Sequence, residues 1–370
     1  MIVLGAVPLR CSRAWRAGIA AAALLVAAKF YLLRIFGGPN GFAPDLPRWI
    51  VLGSAWLYAM EFFWLLGAFP VAVLHLVLRG ILFAAGHPLR PGWRELHNRI
   101  SLVLLVVSFA VTTIGCIGGT AAPEIRRVDL AVRGGEGSGA KRFTVLVITD
   151  LHVDPSTPPE EIRRLVERCN ELDADLVTIL GDNVDGTVER CGKLLEPLAE
   201  LRARCGVLAV TGNHEYYSGF KPWRDFLSVR GLRFLINEVV ILPNGVAVAG
   251  IPDPQGIRFG VTRPDLAAAA AKLPRNRRAA ILLSHRPGFA RQAAGAGFDL
   301  QLSGHTHGGM VIGFDRLIAL FNGGFVSGLY RVGAMTLYVS NGTGIWSGFP
   351  VRIGRPAEIT LVTLSLPPDR

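Results

Sequence analysis

The chain has 370 residues, 51% of them hydrophobic and 18% charged, with a formal net charge of +11. A mean hydropathy of +0.39 excludes a disordered chain and exceeds that of an ordinary soluble domain, so one part of the sequence must hold the excess. The positive charge comes mostly from arginines scattered without aromatic clusters, which argues against nucleic acid as a partner and suits anionic lipid headgroups.

Residues 1–120 hold the excess and read as a membrane anchor with three apolar stretches, at 17–36, 49–78 and 100–119. The third contains no charged residue and is long enough to cross a hydrocarbon core of ~30 Å. The second, about 45 Å as helix, reads as one long tilted span with a kink at Pro70. Lys29 and Arg34 interrupt the first, which still reads as a span if they snorkel. Arg10, Arg13 and Arg16 precede it as in a signal peptide, yet no small-residue cleavage site follows, so an uncleaved anchor is expected.

Arg79, Arg90, Arg94 and Arg99 lie between the second and third stretches. Positive loops stay cytoplasmic, so the expected location is a multi-pass position in the cytoplasmic membrane, with everything after the third span on its outer face. Glu61 and His75 lie inside the second stretch, where an ionisable side chain is either functional or held by a neighbouring helix.

Residues 121–141 read as a linker and lead-in, and 142–370 as one catalytic domain. Short apolar runs there alternate with amphipathic segments near 159–170, 188–203, 222–230, 264–272 and 287–295. That alternation predicts an α/β architecture with parallel strands. The runs "FTVLVITD", "DLVTILGD", "GVLAVTGN", "AAILLSH" and "FDLQLSGH" each end in a polar residue: Asp150, Asp182, Asn213, His285 and His305 in turn. Open α/β sheets bind ligands outside the carboxyl ends of their strands, so these five segments are expected to meet at one edge.

The segments are Asp150-Leu-His152, Gly181-Asp182-Asn-Val-Asp185, Gly212-Asn213-His214-Glu215, Ser284-His285 and Gly304-His305-Thr-His307. Oxygen and imidazole donors without thiolate suit manganese, iron or zinc. The donors outnumber the needs of one ion and fit a pair about 3.5–4 Å apart, the arrangement used for in-line displacement at phosphorus. Gly181, Gly212, Gly304, Gly308 and Gly309 flank the donors, where a missing Cβ permits close approach.

In this order, DxH, GDxxD, GNHE, a lone His and GHTH resemble the calcineurin-like metallophosphoesterase family, and the glycine-rich loop "SNGTGIWSGFPVRIGRP" resembles its bacterial membrane-anchored branch. The resemblance implies a four-layer sandwich of two β-sheets flanked by helices. It implies one metal on Asp150, His152 and His307, a second on Asn213, His285 and His305, and Asp182 as the bridge. His214 is left for general acid chemistry, with Asp185 fixing its tautomer. A helix cap near Thr187 is the plainer reading of Asp185. Gly186 stands where protein phosphatases of the superfamily carry an arginine, which disfavours that activity. Arg286 is a replacement or simply solvated, and Trp346 and Arg352 are substrate contacts or parts of a surface loop.

The expected function is hydrolysis of a lipid or envelope-associated phosphodiester. One alternative is the UDP-2,3-diacylglucosamine pyrophosphohydrolase type, which would need access to a cytoplasmic nucleotide. The alternative of another class is a metal-dependent binding module without catalysis. The five cysteines, Cys11, Cys116, Cys169, Cys191 and Cys205, form no CxxC motif; only Cys191 and Cys205 are considered as a pair, and only in an oxidising compartment.

Overall fold

The computed structural model describes residues 13–36, 44–87, 92–136 and 139–368; Arg10, Cys11 and Arg90 lie outside them. Two compact units result, residues 1–118 with Ser347–Val351, and 119–346 with 352–370.

The first unit is helical: α1 (Arg13–Ala27), α2 (Lys29–Phe36), α3 (Arg48–Ala84) and α4 (Gly92–Gly119). Two helical stretches are long and apolar enough to cross a membrane, Arg48–Ala84 and Glu95–Gly119. The 17–36 stretch is not straight. Its two halves are bent by 65° next to Lys29, whose ammonium is buried and donates to the Gly348 carbonyl at 2.6 Å. The 49–78 stretch is one helix, longer than expected at both ends, and it runs through Pro70.

Close packing ties α3 to α4. A Cβ on Gly67 would stand 2.8 Å from Leu104, so the small residue lets the helices approach. Trp56 donates through Nε1 to Thr113 (3.2 Å) and sets its ring edge-on to Phe109. Ser347–Val351 belongs to this unit, with Phe349 packed edge-on against Phe62 at 5.7 Å.

The second unit contains two mixed six-stranded sheets. One has the order β1-β12-β2-β3-β4-β5 and the other β10-β11-β9-β8-β7-β6. In the first, β2 (Lys141–Ile148), β3 (Leu176–Ile179), β4 (Val207–Ala209) and β5 (Leu232–Phe234) are parallel neighbours, while β12 (Glu358–Leu366) runs antiparallel to β2 and parallel to β1 (Glu124–Ala131). In the second, β7 (Val246–Gly250), β8 (Ala279–Leu283), β9 (Leu300–Ser303) and β11 (Met335–Val339) are parallel, with β6 (Glu238–Ile241) and β10 (Gly328–Val332) antiparallel at the edges. The stretch read as a linker thus contains a strand, β1.

Period-2 alternation builds the layers. Val145 and Val147 of β2 face the second sheet and pack with Val248, Ile281 and Leu302. Leu146 and Ile148 face the other way, into a core with Ile162 and Val166 of α5 (Pro159–Asn170) and with Cys191 of α6 (Val188–Leu195). That core also takes Trp223 and Leu227 of α8 (Phe220–Ser228), which follows α7 (Asn213–Ser218). Beyond the second sheet, Leu282 and Val339 pack on Ala269 and Ala293. Those two alanines belong to α10 (Leu266–Ala271) and α11 (Ala290–Gly295); α9 (Gln255–Arg258) and α12 (Asp315–Phe321) complete the unit. The result is helices, sheet, sheet, helices. Pro197 ends α6 early, followed by a 3-10 turn over Glu196–Glu200, so the 188–203 helix is shorter than expected. Cys191 and Cys205 are free thiols rather than a disulfide.

Candidate metal centre

Each of β2, β3, β4, β8 and β9 delivers its polar residue just past its carboxyl end. The loops after β2 and β3 are stitched together by backbone bonds, Asp150 N to Gly181 O at 2.9 Å and His152 N to Asp182 O at 3.0 Å. Asp150, His152, Asp182, His305 and His307 all have positive φ, between 49° and 72°. Left-handed backbone at non-glycine residues is costly and persists where surrounding structure enforces it, as at functional sites.

Glycines make the convergence feasible. A Cβ on Gly212 would lie 2.1 Å from Asp182 Oδ1, and one on Gly304 would lie 2.4 Å from Asp150 Oδ2. Any side chain at either position would displace a carboxylate.

Three donor groups result among the described residues, one of them His152, Asp185 and His214, joined by the Asp185 carboxylate, and the other two nearer the strand ends. Of those two, Asp150, His152 and His307 form one, and Asp182, His285 and His305 the other, each with its donor atoms within 4.8 Å of one another. His152 Nε2 faces His307 Nε2 at 3.0 Å, and His285 Nε2 faces His305 Nδ1 at 3.1 Å. His152 Nδ1 lies 3.0 Å from Asp185 Oδ2, and His285 Nδ1 lies 2.9 Å from the Leu180 carbonyl, so each ring can place its Nδ1 proton there and would offer Nε2 to a cation that displaces the second proton. Two lone pairs at that separation repel unless a proton or a metal cation lies between them. Nitrogen ligands about 2.1 Å from one ion stand roughly 3 to 3.4 Å apart, so the spacing fits. Asp182 Oδ2 lies 3.1 Å from His285 Nε2 and 4.0 Å from His152 Nε2, between the two groups. Asn213 starts α7 beside Asp182, which accepts from His214 N at 2.8 Å.

Electrostatics divides the histidines. Burial, with the positive charges nearby, holds His305 and His307 well below the ordinary imidazole range, which leaves them neutral and able to ligate. Burial would also lower His285 and His214, but Asp182 outweighs it at His285, raising it to about 9, and Asp185 with Asp182 raises His214 to about 10. Asp185 is fully buried; desolvation pushes it up, but the two histidines win and bring it to about 2. Its Oδ1 makes a very short hydrogen bond to His214 Nδ1.

Three residues given no role from the sequence shape the site. Glu215, fully buried, accepts from Gly212 N (2.7 Å), Asp182 N (3.0 Å), Asn183 N (2.7 Å) and Asn183 Nδ2 (2.9 Å), so one carboxylate locks two ligand loops. Asp253, which follows β7 as the ligands follow their strands, accepts both Arg286 Nε (2.6 Å) and Nη2 (3.2 Å). Arg286 is therefore held in one orientation while about a third of its side chain stays exposed, with Nη2 3.5 Å from Asn213 Oδ1. Asn341 sets Oδ1 where a Cβ on Gly308 would fall, at 2.3 Å. The polar terminus of β7 was a usable signal for Asp253; Glu215 and Asn341 lie in quoted motifs, GNHE and the glycine-rich loop, but no local pattern gave them a role.

The C-terminal loop supports the site from behind. Arg352 is 3% exposed and its guanidinium reaches the carbonyls of His307 (3.2 Å), Arg355 (3.1 Å) and Gly344 (2.8 Å) as well as His307 Nδ1 (3.1 Å), so it positions a ligand loop from behind. Trp346 is half-buried.

The family model for calcineurin-like phosphoesterases matches residues 143–309. An uncharacterized metallophosphoesterase of Campylobacter jejuni is 33% identical over 267 residues, 72% of this chain and 69% of that one. One from Helicobacter pylori is 33% identical over 273 residues, 73% and 72% of the two chains. A transmembrane protein with metallophosphoesterase domain from Danio rerio is 31% identical over 278 residues, covering 72% of this chain and 63% of its own.

Proposed function

Since the chain belongs to the calcineurin-like phosphoesterases, metal-dependent hydrolases of phosphate esters, we propose that its five-segment cluster holds two divalent cations and cleaves a phosphodiester presented at a membrane. Asp150, His152 and His307 would hold one cation, Asn213, His285 and His305 the other, and Asp182 both. When bound, such a pair supplies an activated water and neutralises the phosphoryl oxygens. Manganese, iron and zinc suit the donor set.

The chain's own residues do the rest. His214, charged and 16% exposed at its side chain, is the group able to give a proton to the leaving oxygen, and Asp185 holds its ring and stabilises its charge. Arg286, steadied by Asp253, presents a guanidinium edge beside Asn213 for a phosphoryl oxygen. The observation that carries this reading is the facing of imidazole nitrogens at 3.0 and 3.1 Å in two adjacent sets.

For the substrate, two helices of membrane-spanning length, with Arg79, Arg94 and Arg99 on their adjoining ends, support an anchored enzyme acting on a lipid or envelope phosphodiester outside the cytoplasmic membrane. Turnover of bis-p-nitrophenyl phosphate, p-nitrophenyl phosphate and a diacylated nucleotide sugar, by metal-free protein given manganese, zinc or iron, tests it. Diester cleavage with no metal requirement would refute the reading.

A further inference from the structure

Helix α12 (Asp315–Phe321) follows the GHTH loop by a few residues and contains no buried residue. Leu317, Leu320 and Phe321 share one face by i, i+3 and i+4 spacing and are 56%, 76% and 80% exposed, with Ile312 just ahead at 63%. A seven-residue helix is too short to persist on propensity alone and depends on packing of an apolar face, yet more than half of each of these side chains is left uncovered. We propose that α12 and Ile312 form an interfacial element that seats in the headgroup and upper acyl region of an anionic bilayer.

The charges around the strip fit that partner. Arg316 is exposed, and Arg291 lies at the helix end, donating to the Gly323 carbonyl at 2.8 Å with its guanidinium over the Phe325 ring. The acid of the helix, Asp315, is neutralised by Arg355 at 3.0 Å. An apolar face bordered by arginines is the pattern of helices that lie in a membrane interface.

Ile312 N donates to Ile353 O at 3.1 Å, and Ile353 comes two positions after Ser347–Val351, the segment that packs with the apolar helices. A second copy of the chain suits the strip poorly, because the helix is only about 10 Å long and a stable dimer needs about 800 Å² from each partner.

The test is independent of hydrolysis. Full-length protein carrying Phe321→p-benzoylphenylalanine is placed in nanodiscs of phosphatidylcholine and phosphatidylglycerol, irradiated, and its adducts identified by mass spectrometry. Position 321 is exposed and already aromatic, so the fold tolerates the replacement. Val229, 81% exposed and remote in sequence, receives the same replacement as the control. Acyl-chain adducts about tenfold above those at position 229 are expected for an interfacial helix. Adducts to polypeptide, or lipid labelling no greater than at position 229, would overturn the proposal. Loss of catalysis in either variant leaves this readout intact, so the two readings fail separately.

Discussion

His152 and His214 share one partner, the buried Asp185 carboxylate, whose two oxygens each take one ring nitrogen. The rings stand perpendicular with centroids 4.6 Å apart. A metal-ligand candidate and an acid candidate are thus oriented by the same group, and substitutions at the three positions separate their roles.

Replacing His214 with Asn should leave both cations bound and lower turnover of bis-p-nitrophenyl phosphate by about 10² to 10⁴. Unchanged turnover at full metal content would remove the acid role.

Asp185→Asn should do more, because it also loosens His152. Metal affinity should fall by about 10 to 100-fold, as for other groups that orient a ligand, on top of the rate loss. Isothermal titration with zinc measures this; a wild-type affinity with reduced turnover would confine Asp185 to His214.

The raised pKa of His214 fixes a pH signature in protein stripped by chelator. Its folded value of about 10 lies above the ordinary imidazole value of 6.5, so the interaction with Asp185 contributes stability that is complete below about pH 6.5 and is lost as pH rises through about 10. The difference in melting temperature between the native chain and His214→Asn should therefore shrink across that window. A difference that grows with pH contradicts the pairing.

Gly212→Ala isolates steric convergence from chemistry. Gly212 has φ −95°, so its own torsion suits alanine, but the Cβ would lie 2.1 Å from Asp182 Oδ1 and 2.5 Å from Asp182 N, so the ligand and its loop must shift together. The variant should fold, judged by circular dichroism, and lose bound metal. Retention of a full metal complement would show that Asp182 has room to spare.

Much of this site was legible because ligand residues terminate parallel strands: an apolar run of β2, β3, β4, β8 or β9 followed by Asp, Asn or His needs only the sheet rule to place it at one edge. The pairing of His214 with Asp185 was legible for a similar reason, both lying in loops that leave adjacent strands. Arg352 was legible only as a basic residue of a glycine-rich loop; its burial follows from the Gly344 and Arg355 carbonyls of that loop together with the His307 carbonyl, a long-range contact no local pattern encodes. Strands β1 and β12 escaped notice since their pairing joins residues over two hundred positions apart, which no local pattern encodes. Glu215 was invisible in its role because four donors from two separate loops define it, and composition shows none of them.

The side of the membrane rests on Arg79, Arg94 and Arg99 staying cytoplasmic. Alkaline phosphatase fused after the last residue should be active in cells; an inactive fusion at normal expression would move the domain inside and favour a nucleotide-linked substrate.

The most direct measurement is metal content by plasma mass spectrometry on full-length native and Asp182→Ala protein, each loaded with manganese and desalted. The account predicts about two ions per native chain and the loss of both with Asp182. One ion per native chain, or two retained without the Asp182 carboxylate, would contradict a dinuclear centre joined by that residue.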